Sequence, residues 1–258
     1  MKIINKYLIE KISKYCDIDK TNNHILDSND IVSLKKDVEK VNLIVNVGIV
    51  NNIRRINKLH ESVNVNLMQN GIYVSVGETM EERRIRVRNK SPLGLKTIIR
   101  IIDFIYKRVL PKLPVIKSIY FSITRGYNRV ISKAEFLGRI VSCGFEVVEY
   151  FEYENLFYII SKKVDVPKYD MNPSYGFLFK MKRIGYKGKI IRVYKIRTMH
   201  PFSEYCQDLI ISENKLLESG KIANDFRITT WGKFLRRFWI DELPMFINFF
   251  KGELTLVG

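Results

Sequence analysis

Between Val164 and Tyr175 the sequence runs Val-Asp-Val-Pro-Lys-Tyr-Asp-Met-Asn-Pro-Ser-Tyr. Pro167 and Pro173 each lack a backbone donor and bias the preceding residue away from the helical region, so regular structure breaks here. The 258-residue chain is therefore read as two parts, 1–165 and 176–258. Apolar residues make up 46% of it, which excludes a largely disordered chain, because such chains lack the apolar area to offset ordering entropy. No run reaches the roughly 18 apolar residues that a spanning helix needs.

Lys and Arg number 44 against 27 Asp and Glu, a formal net charge of +17. That excess points to an anionic partner: a phosphorylated substrate, a phospholipid surface or nucleic acid. Cys16, Cys143 and Cys206 are far apart and form no Cys-x-x-Cys or Cys/His cluster, so neither a disulfide framework nor a structural zinc site is expected. The Met1–Lys20 segment is amphipathic and interrupted by charge, unlike a signal peptide. A reducing, cytoplasmic location is the expectation.

The first part reads as α/β. Val41–Val47 is a short apolar run expected to be a buried strand. Ile53, Ile56, Leu59, Val63 and Leu67 follow at helical spacing. Asn70-Gly71 reads as a turn, and Ile72–Val76 as the next strand. Ser132 and Glu135 predict a helix start, and Gly144 its end. Phe145–Tyr150 and Leu156–Ser161 then read as a hairpin. This order weakly resembles the later half of a class I methyltransferase domain. The first glycine is Gly48, so residues 1–47 offer no Gly-x-Gly cradle, and a degenerate, partial Rossmann-like scaffold is the preferred reading.

Leu95–Ile123 mixes apolar residues with Lys96, Arg100, Lys107, Arg108, Lys112 and Lys117, broken by Pro111 and Pro114. It fits two short basic amphipathic helices in a membrane interface. The preferred reading is an ordinary core-packing pair with a solvated basic edge.

The last 88 residues carry the chemistry. Arg183-Ile-Gly-Tyr-Lys-Gly-Lys189 suits a turn between strands that approaches an anion. In Ile190–Met199, Ile191, Val193 and Ile196 are read as the buried side of a strand, with Arg192, Lys195 and Arg197 presented on the other. Asn224–Arg237 holds Asp225, Arg227, Lys233, Arg236 and Arg237, and arginine forks of this kind clamp phosphate oxygens. Trp231, Phe234, Phe238 and Trp239 leave a nucleic-acid groove open on composition alone. Asp241-Glu242-Leu243-Pro244 reads as an N-cap and first turn of a helix that stops at Gly252. Arg236 and Arg237 nearby would keep the Asp241 carboxylate ionised. Such a carboxylate pair can hold Mg²⁺, act as a nucleophile on phosphorus, or simply cap a helix. Leu243, Phe246, Ile247 and Phe250 make the helix oily, and it is expected to be buried or to lie against lipid.

Taken together, these residues resemble the bacterial sugar transferases, the monotopic polyprenyl-phosphate hexose-1-phosphate transferases. The resemblance rests on Arg183, Gly185, Gly188 and Lys189, on Tyr194, Lys195, Arg197, Thr198 and Met199, and on Asp225, Arg227, Ile228, Thr229, Gly232, Lys233, Leu235 and Arg236. It closes on Asp241-Glu242-Leu243-Pro244, Asn248, Gly252, Glu253 and Leu256-Val257-Gly258. It implies transfer of a sugar 1-phosphate from a UDP-sugar to polyprenyl phosphate through an aspartyl phosphosugar intermediate, with release of UMP. The product would start exopolysaccharide, capsule or O-antigen synthesis. By motif position Asp241 is the nucleophile, Glu242 a metal ligand or base, and Arg236 a phosphate clamp supported by Lys195, Arg197 and Arg227. Asp241 and Glu242 are the implied Mg²⁺ ligands. The resemblance places the protein on the cytoplasmic face of the inner membrane, peripheral or monotopic. The family's pattern continues past Val-Gly, so the domain is expected to be truncated at Gly258. The fold expected overall is α/β, α+β in its C-terminal part. An inactive remnant that scaffolds polysaccharide assembly is the alternative, and nucleic acid is an unlikely partner.

Overall fold

The structure, a computed structural model, describes residues 5–17, 23–27, 40–92, 94–113, 116–169, 176–213, 222 and 224–255. The ends of the Met1–Lys20 segment, Pro114, Pro173 and Leu256-Val257-Gly258 lie outside these residues.

Strands β1 (Asn23–Leu26), β2 (Val41–Ile49), β3 (Leu67–Gly77), β4 (Phe145–Tyr153) and β5 (Leu156–Lys163) form one mixed sheet in the order β1-β2-β3-β5-β4. β1, β2 and β3 are parallel, while β5 runs antiparallel to both β3 and β4. Both faces of the sheet are covered, which is why Val41–Val47 is apolar without a break. On one face α1 (Lys6–Ser13) packs Leu8 and Ile12 against Leu43, Val45, Val74 and Ile160. On the other, α2 (Ile56–Asn66) and α6 (Lys133–Ser142) pack Leu59, Val63, Phe136 and Ile140 against Ile44, Tyr73 and Ile159. Ser132 caps α6 by accepting from the Glu135 N–H at 3.1 Å, and Gly144 ends it in the left-handed region at φ 85°.

Two expectations are corrected. Asn70-Gly71 is not a turn between elements. β3 runs through it, and the ladder with β2 jumps from Val41↔Leu67 to Leu43↔Ile72. The left-handed Asn70 (φ 65°) absorbs the extra residues as a bulge, because the strand's partner continues past it. Nor do residues 95–123 pack into the core as a helix pair. After α3 (Met80–Lys90) come α4 (Lys96–Phe104), a π turn at Ile105–Val109, a 3-10 turn at Leu110–Lys112, and α5 (Ile116–Thr124). α4 buries none of its residues.

In the C-terminal part, β6 (Leu178–Ile184) and β7 (Ile190–Ile196) form a separate antiparallel hairpin around the glycine-bearing turn 185–189. α7 (Gln207–Glu213) and α8 (Thr230–Arg237) follow, then a 3-10 turn (Ile240–Met245) running into α9 (Phe246–Phe250). Residues on both sides of the proline-bearing segment share one core: Cys206 and Ile210 pack with α2 and α6. The Cys206 thiol donates to the Ala134 carbonyl at 3.3 Å. Gly138 lets the chain at Phe202 pass, since a Cβ there would sit 2.1 Å from the Phe202 carbonyl oxygen. Among the described residues no helix is long and apolar enough to cross a membrane.

Candidate active site

The site is built on β7. Strand period two puts Ile191, Val193 and Lys195 on one side. Ile191 and Val193 are buried, so Lys195 shares their inner face and Arg192 lies on the opposite, exposed one. This corrects the expected split of the strand, which put Lys195 opposite the buried isoleucine and valine. The inner face points to the 3-10 turn, where Lys195 Nζ meets Glu242 Oε1 at 2.6 Å, with both side chains partly exposed.

Asn248 locks the turn and α9 to the strand. It is fully buried, its Oδ1 accepts from the Tyr194 N–H at 3.0 Å, and its Nδ2 donates to the Arg192 carbonyl at 2.8 Å and to Glu253 Oε2 at 2.6 Å. An asparagine inside an apolar helix face was the sequence signal for this anchor, and the motif contains it. Its positioning part was not assigned from sequence.

Asp241 does not cap the helix. Trp239 occupies the cap position in the left-handed region (φ 58°), and Asp241 falls inside the first turn of the 3-10 segment. The 3-10 segment begins at Ile240, one residue before Asp241, and carries Pro244 inside it. Its side chain is only 9% exposed. Among the described residues the Asp241 carboxylate makes no hydrogen bond and no ion pair, and neither Arg236 nor Arg237 is salt-bridged to it. The residue is largely buried, yet its carboxylate oxygens are not among the buried atoms left without a partner, so they keep access to solvent and are open to a ligand.

The other predicted residues hold the frame. Arg236 Nε donates to Thr198 Oγ1 at 2.9 Å, which brings α8 to the end of β7 while the rest of the exposed guanidinium stays outward. Thr198 is a hub that sequence reasoning did not assign. Its carbonyl accepts from both the Thr229 N–H and the Thr229 hydroxyl, each at 2.9 Å. Gly232 packs directly on it, where a Cβ would lie 2.2 Å from the Thr198 oxygen. Arg227 is buried and forked onto Asp225, with Nη2 to Oδ2 at 2.7 Å and Nε to Oδ1 at 2.9 Å. Burial pushes the Asp225 pKa up, but hydrogen bonds from Arg227 more than reverse this and hold it below the usual range. Arg197 Nε donates to the Gly176 carbonyl at 3.1 Å, the guanidinium lies over the Phe179 ring, and burial lowers its pKa. Arg227 and Arg197 are thus committed to internal partners, while Lys195 pairs with Glu242 of the 3-10 turn and Arg236 faces Thr198 and Asp225.

Around Asp241 the surface is oily. Phe234, Phe238, Trp239, Leu243, Phe246 and Phe250 are all exposed. A cleft of about 740 Å³ exists elsewhere, at the carboxyl ends of β2 and β3, lined by Asn51, Glu78, Arg86 and Asn128. Its lining belongs wholly to the N-terminal part, and Asn51 and Glu78 already pair with neighbours.

Asp241 thus stands ahead of a lysine–glutamate pair and after an arginine-bearing helix, a combination that can meet a phosphorylated ligand. Residues 168–258 match the sequence model of the bacterial sugar transferase family, which bears out the motif resemblance over that stretch. Relatives share this region. A galactosyl transferase, CpsE, of Streptococcus agalactiae serotype III is 42% identical over 82 residues, 31% of this chain and 18% of that protein. The UDP-glucose:undecaprenyl-phosphate glucose-1-phosphate transferase of Escherichia coli K12 is 38% identical over 81 residues, 31% of this chain and 15% of that one. The undecaprenyl-phosphate galactose phosphotransferase of Salmonella typhimurium is 35% identical over 81 residues, covering 30% and 17%. The chain thus spans less than a fifth of each of these three relatives. An O-methyltransferase family 2 protein from Planctomyces limnophilus superposes on 52% of this chain and 33% of its own, with a TM-score of 0.31 and 13% identity, too loose a likeness to carry an argument.

Proposed function

We propose that the C-terminal part transfers a sugar 1-phosphate from a UDP-sugar to polyprenyl phosphate, as the names of the Escherichia coli and Salmonella relatives describe for glucose and galactose. The observation that carries the reading is Asp241, a largely buried residue whose carboxylate keeps access to solvent and has no protein partner among the described residues, next to the Lys195–Glu242 pair. In the proposed step an Asp241 oxygen attacks the phosphorus that bears the sugar. The bridging P–O bond of the diphosphate breaks, and its electron pair leaves with UMP. An oxygen of polyprenyl phosphate then attacks the same phosphorus, the aspartyl O–P bond breaks, and the free carboxylate returns. In this reading Lys195, beside Glu242, and Arg236, on the helix before the turn, balance phosphate charge. Thr198, Gly232 and Asn248 hold the strand, α8 and the turn in register.

Among the described residues no three His, Cys, Asp or Glu side chains form a metal cluster. The two adjacent carboxylates still fit Mg²⁺, which keeps several waters and takes one or two carboxylates plus substrate phosphates. Asp241 and Glu242 would hold it, and it would neutralise diphosphate charge. The exposed aromatic surface around Asp241 suits a lipid-borne acceptor and a membrane-face location.

UMP release from UDP-sugars with polyprenyl phosphate and Mg²⁺, compared between the native chain and Asp241→Asn, tests the reading. A loss of about a thousandfold or more is expected when the nucleophile is removed. Equal release from both proteins removes the assigned nucleophile. No release from the native chain leaves the scaffold reading in possession.

A further inference from the structure

Helix α4 is docked back to front for a helix of a folded chain. Leu95, Ile98, Ile101, Ile102 and Ile105 recur at three- and four-residue spacing and line one side. Each is between 44 and 59% exposed. On the opposite side Asp103 and Lys107 are turned to the protein, while Lys96 and Arg100 stay exposed. Asp103 accepts from Arg83 of α3 through Nε at 2.8 Å and Nη2 at 2.6 Å. Lys107, one turn on, is half-buried, its pKa lowered by burial first and by Arg83 second. An ion-paired polar face thus fixes the isoleucine stripe outward.

Helix α5 extends the same kind of surface. Ile119 and Ile123 are exposed, whereas Tyr120 turns inward with its ring edge-on to Tyr106, centroids 5.5 Å apart, which ties α5 to the π turn that follows α4. Between residues 95 and 125 the sequence holds seven Lys and Arg and one acid, Asp103, which Arg83 neutralises.

We propose that α4 and α5 form a pad that seats the protein on an anionic phospholipid surface. The isoleucine stripe enters the boundary between headgroups and acyl chains, and the long, exposed side chains of Lys96 and Arg100 reach round to lipid phosphates. Charge decides between occupants. A second copy of the chain would bring two strongly basic faces together, which is unfavourable, while an anionic bilayer satisfies stripe and charge at once. Nucleic acid would want aromatic platforms for stacking, and this stripe is aliphatic. The pad lies wholly in the N-terminal part and does not depend on the transfer reaction.

Co-sedimentation of the full chain with phosphatidylcholine vesicles, with and without phosphatidylglycerol, tests it. Binding is expected only with phosphatidylglycerol present, and weaker at high salt. The triple variant Ile98→Ser, Ile101→Ser, Ile102→Ser should bind these vesicles at least about tenfold more weakly. Because the three side chains are exposed, its melting temperature should be retained. Lys96→Gln with Arg100→Gln should lessen the preference for phosphatidylglycerol. UMP release by the triple variant in detergent should match the native chain, which separates failure of the pad from failure of the transfer site. Undiminished vesicle binding by the triple variant overturns the proposal, as does a native chain that ignores the vesicles. A native dimer abolished by the triple substitution would assign the stripe to a second copy instead.

Discussion

His60 sets a pH dependence that can be worked out from its surroundings. It lies on α2 with no exposed surface, its ring between Tyr73 and Phe136. Nδ1 is 3.2 Å from the Tyr73 hydroxyl, and among the described residues Nε2 has no partner. Burial, with Arg139 nearby as a second cause, pushes the pKa down from 6.5 to about 3. The folded imidazole therefore stays neutral where the unfolded one takes a proton. Above pH 6.5 both states are neutral and His60 costs nothing. As pH falls through 6.5 the unfolded state gains protons alone, so stability is lost, and the loss levels off only near the folded value. From pH 7 to pH 5 proton uptake favours the unfolded state by about 2 kcal/mol. That figure depends on the unfolded pKa and holds for any folded pKa well below 5. Buried acids such as Glu82, whose pKa is raised chiefly by desolvation, act in the opposite sense. The clean measurement is a difference between proteins. Urea unfolding at pH 7 and pH 5 should show the native chain losing about 2 kcal/mol more than His60→Gln over that interval. Equal pH dependence in the two proteins would refute the reasoning.

Gly232→Ala puts a Cβ 2.2 Å from the Thr198 carbonyl oxygen. It should destabilise the chain by about 1–3 kcal/mol and cut UMP release, read by calorimetry and assay together; an unchanged melt would mean that α8 does not rest on Thr198. Asn248→Ala leaves the Tyr194 N–H and the Arg192 carbonyl unpaired, so a loss of about 1–3 kcal/mol is expected in chemical denaturation. Burial pushes the Cys143 and Cys206 thiols up to about 12, whereas Cys16 is half-buried. At pH 8 a thiol reagent should label Cys16 first and the other two only after unfolding; labelling of all three at one rate would contradict the packing of Cys206 into the core.

Features whose causes are local could be read from the sequence. The Ser132 cap, the Gly144 stop with the hairpin of Phe145–Tyr153 and Leu156–Lys163 after it, and the apolar run of the strand at Val41–Val47 are written in residues close together in sequence, and each forms where expected. The motif from Arg183 to Glu253 was legible because spacing survives without knowledge of the fold. What failed was geometry that only a partner can set. Asn70-Gly71 looks like a turn until β2 continues alongside it. Lys195 looks solvated until strand parity and the 3-10 turn place it against Glu242. Asp241 looks like a cap until the left-handed Trp239 takes that place. The outward stripe of α4 is also invisible in the sequence, because periodicity shows that a helix has an apolar side and not which way it points.

The segment 199–228 explains what the N-terminal part contributes to the site. It leaves the end of β7 and returns to α8, and its base is closed by the Thr229–Thr198 hydrogen bonds and the Met199–Ile228 bridge. Closing a loop of this length costs about 3 kcal/mol of chain entropy, more than the two or three hydrogen bonds at the base contribute with certainty. The balance comes from the far end of the loop. Cys206 and Ile210 are buried among the side chains of α2 and α6, and a buried aliphatic residue alone contributes about 1.5–3 kcal/mol. The Arg139 guanidinium over the Phe202 ring, at 4.4 Å, and the bare α-carbon of Gly138 fix where the loop lands. Arg236 and Asp241 lie directly after the returning end, so their placement is tied to the sheet through this loop. The five-stranded mixed sheet and its helices thus have a physical task, which is to hold Cys206 and Ile210 of the segment on whose closure the site depends.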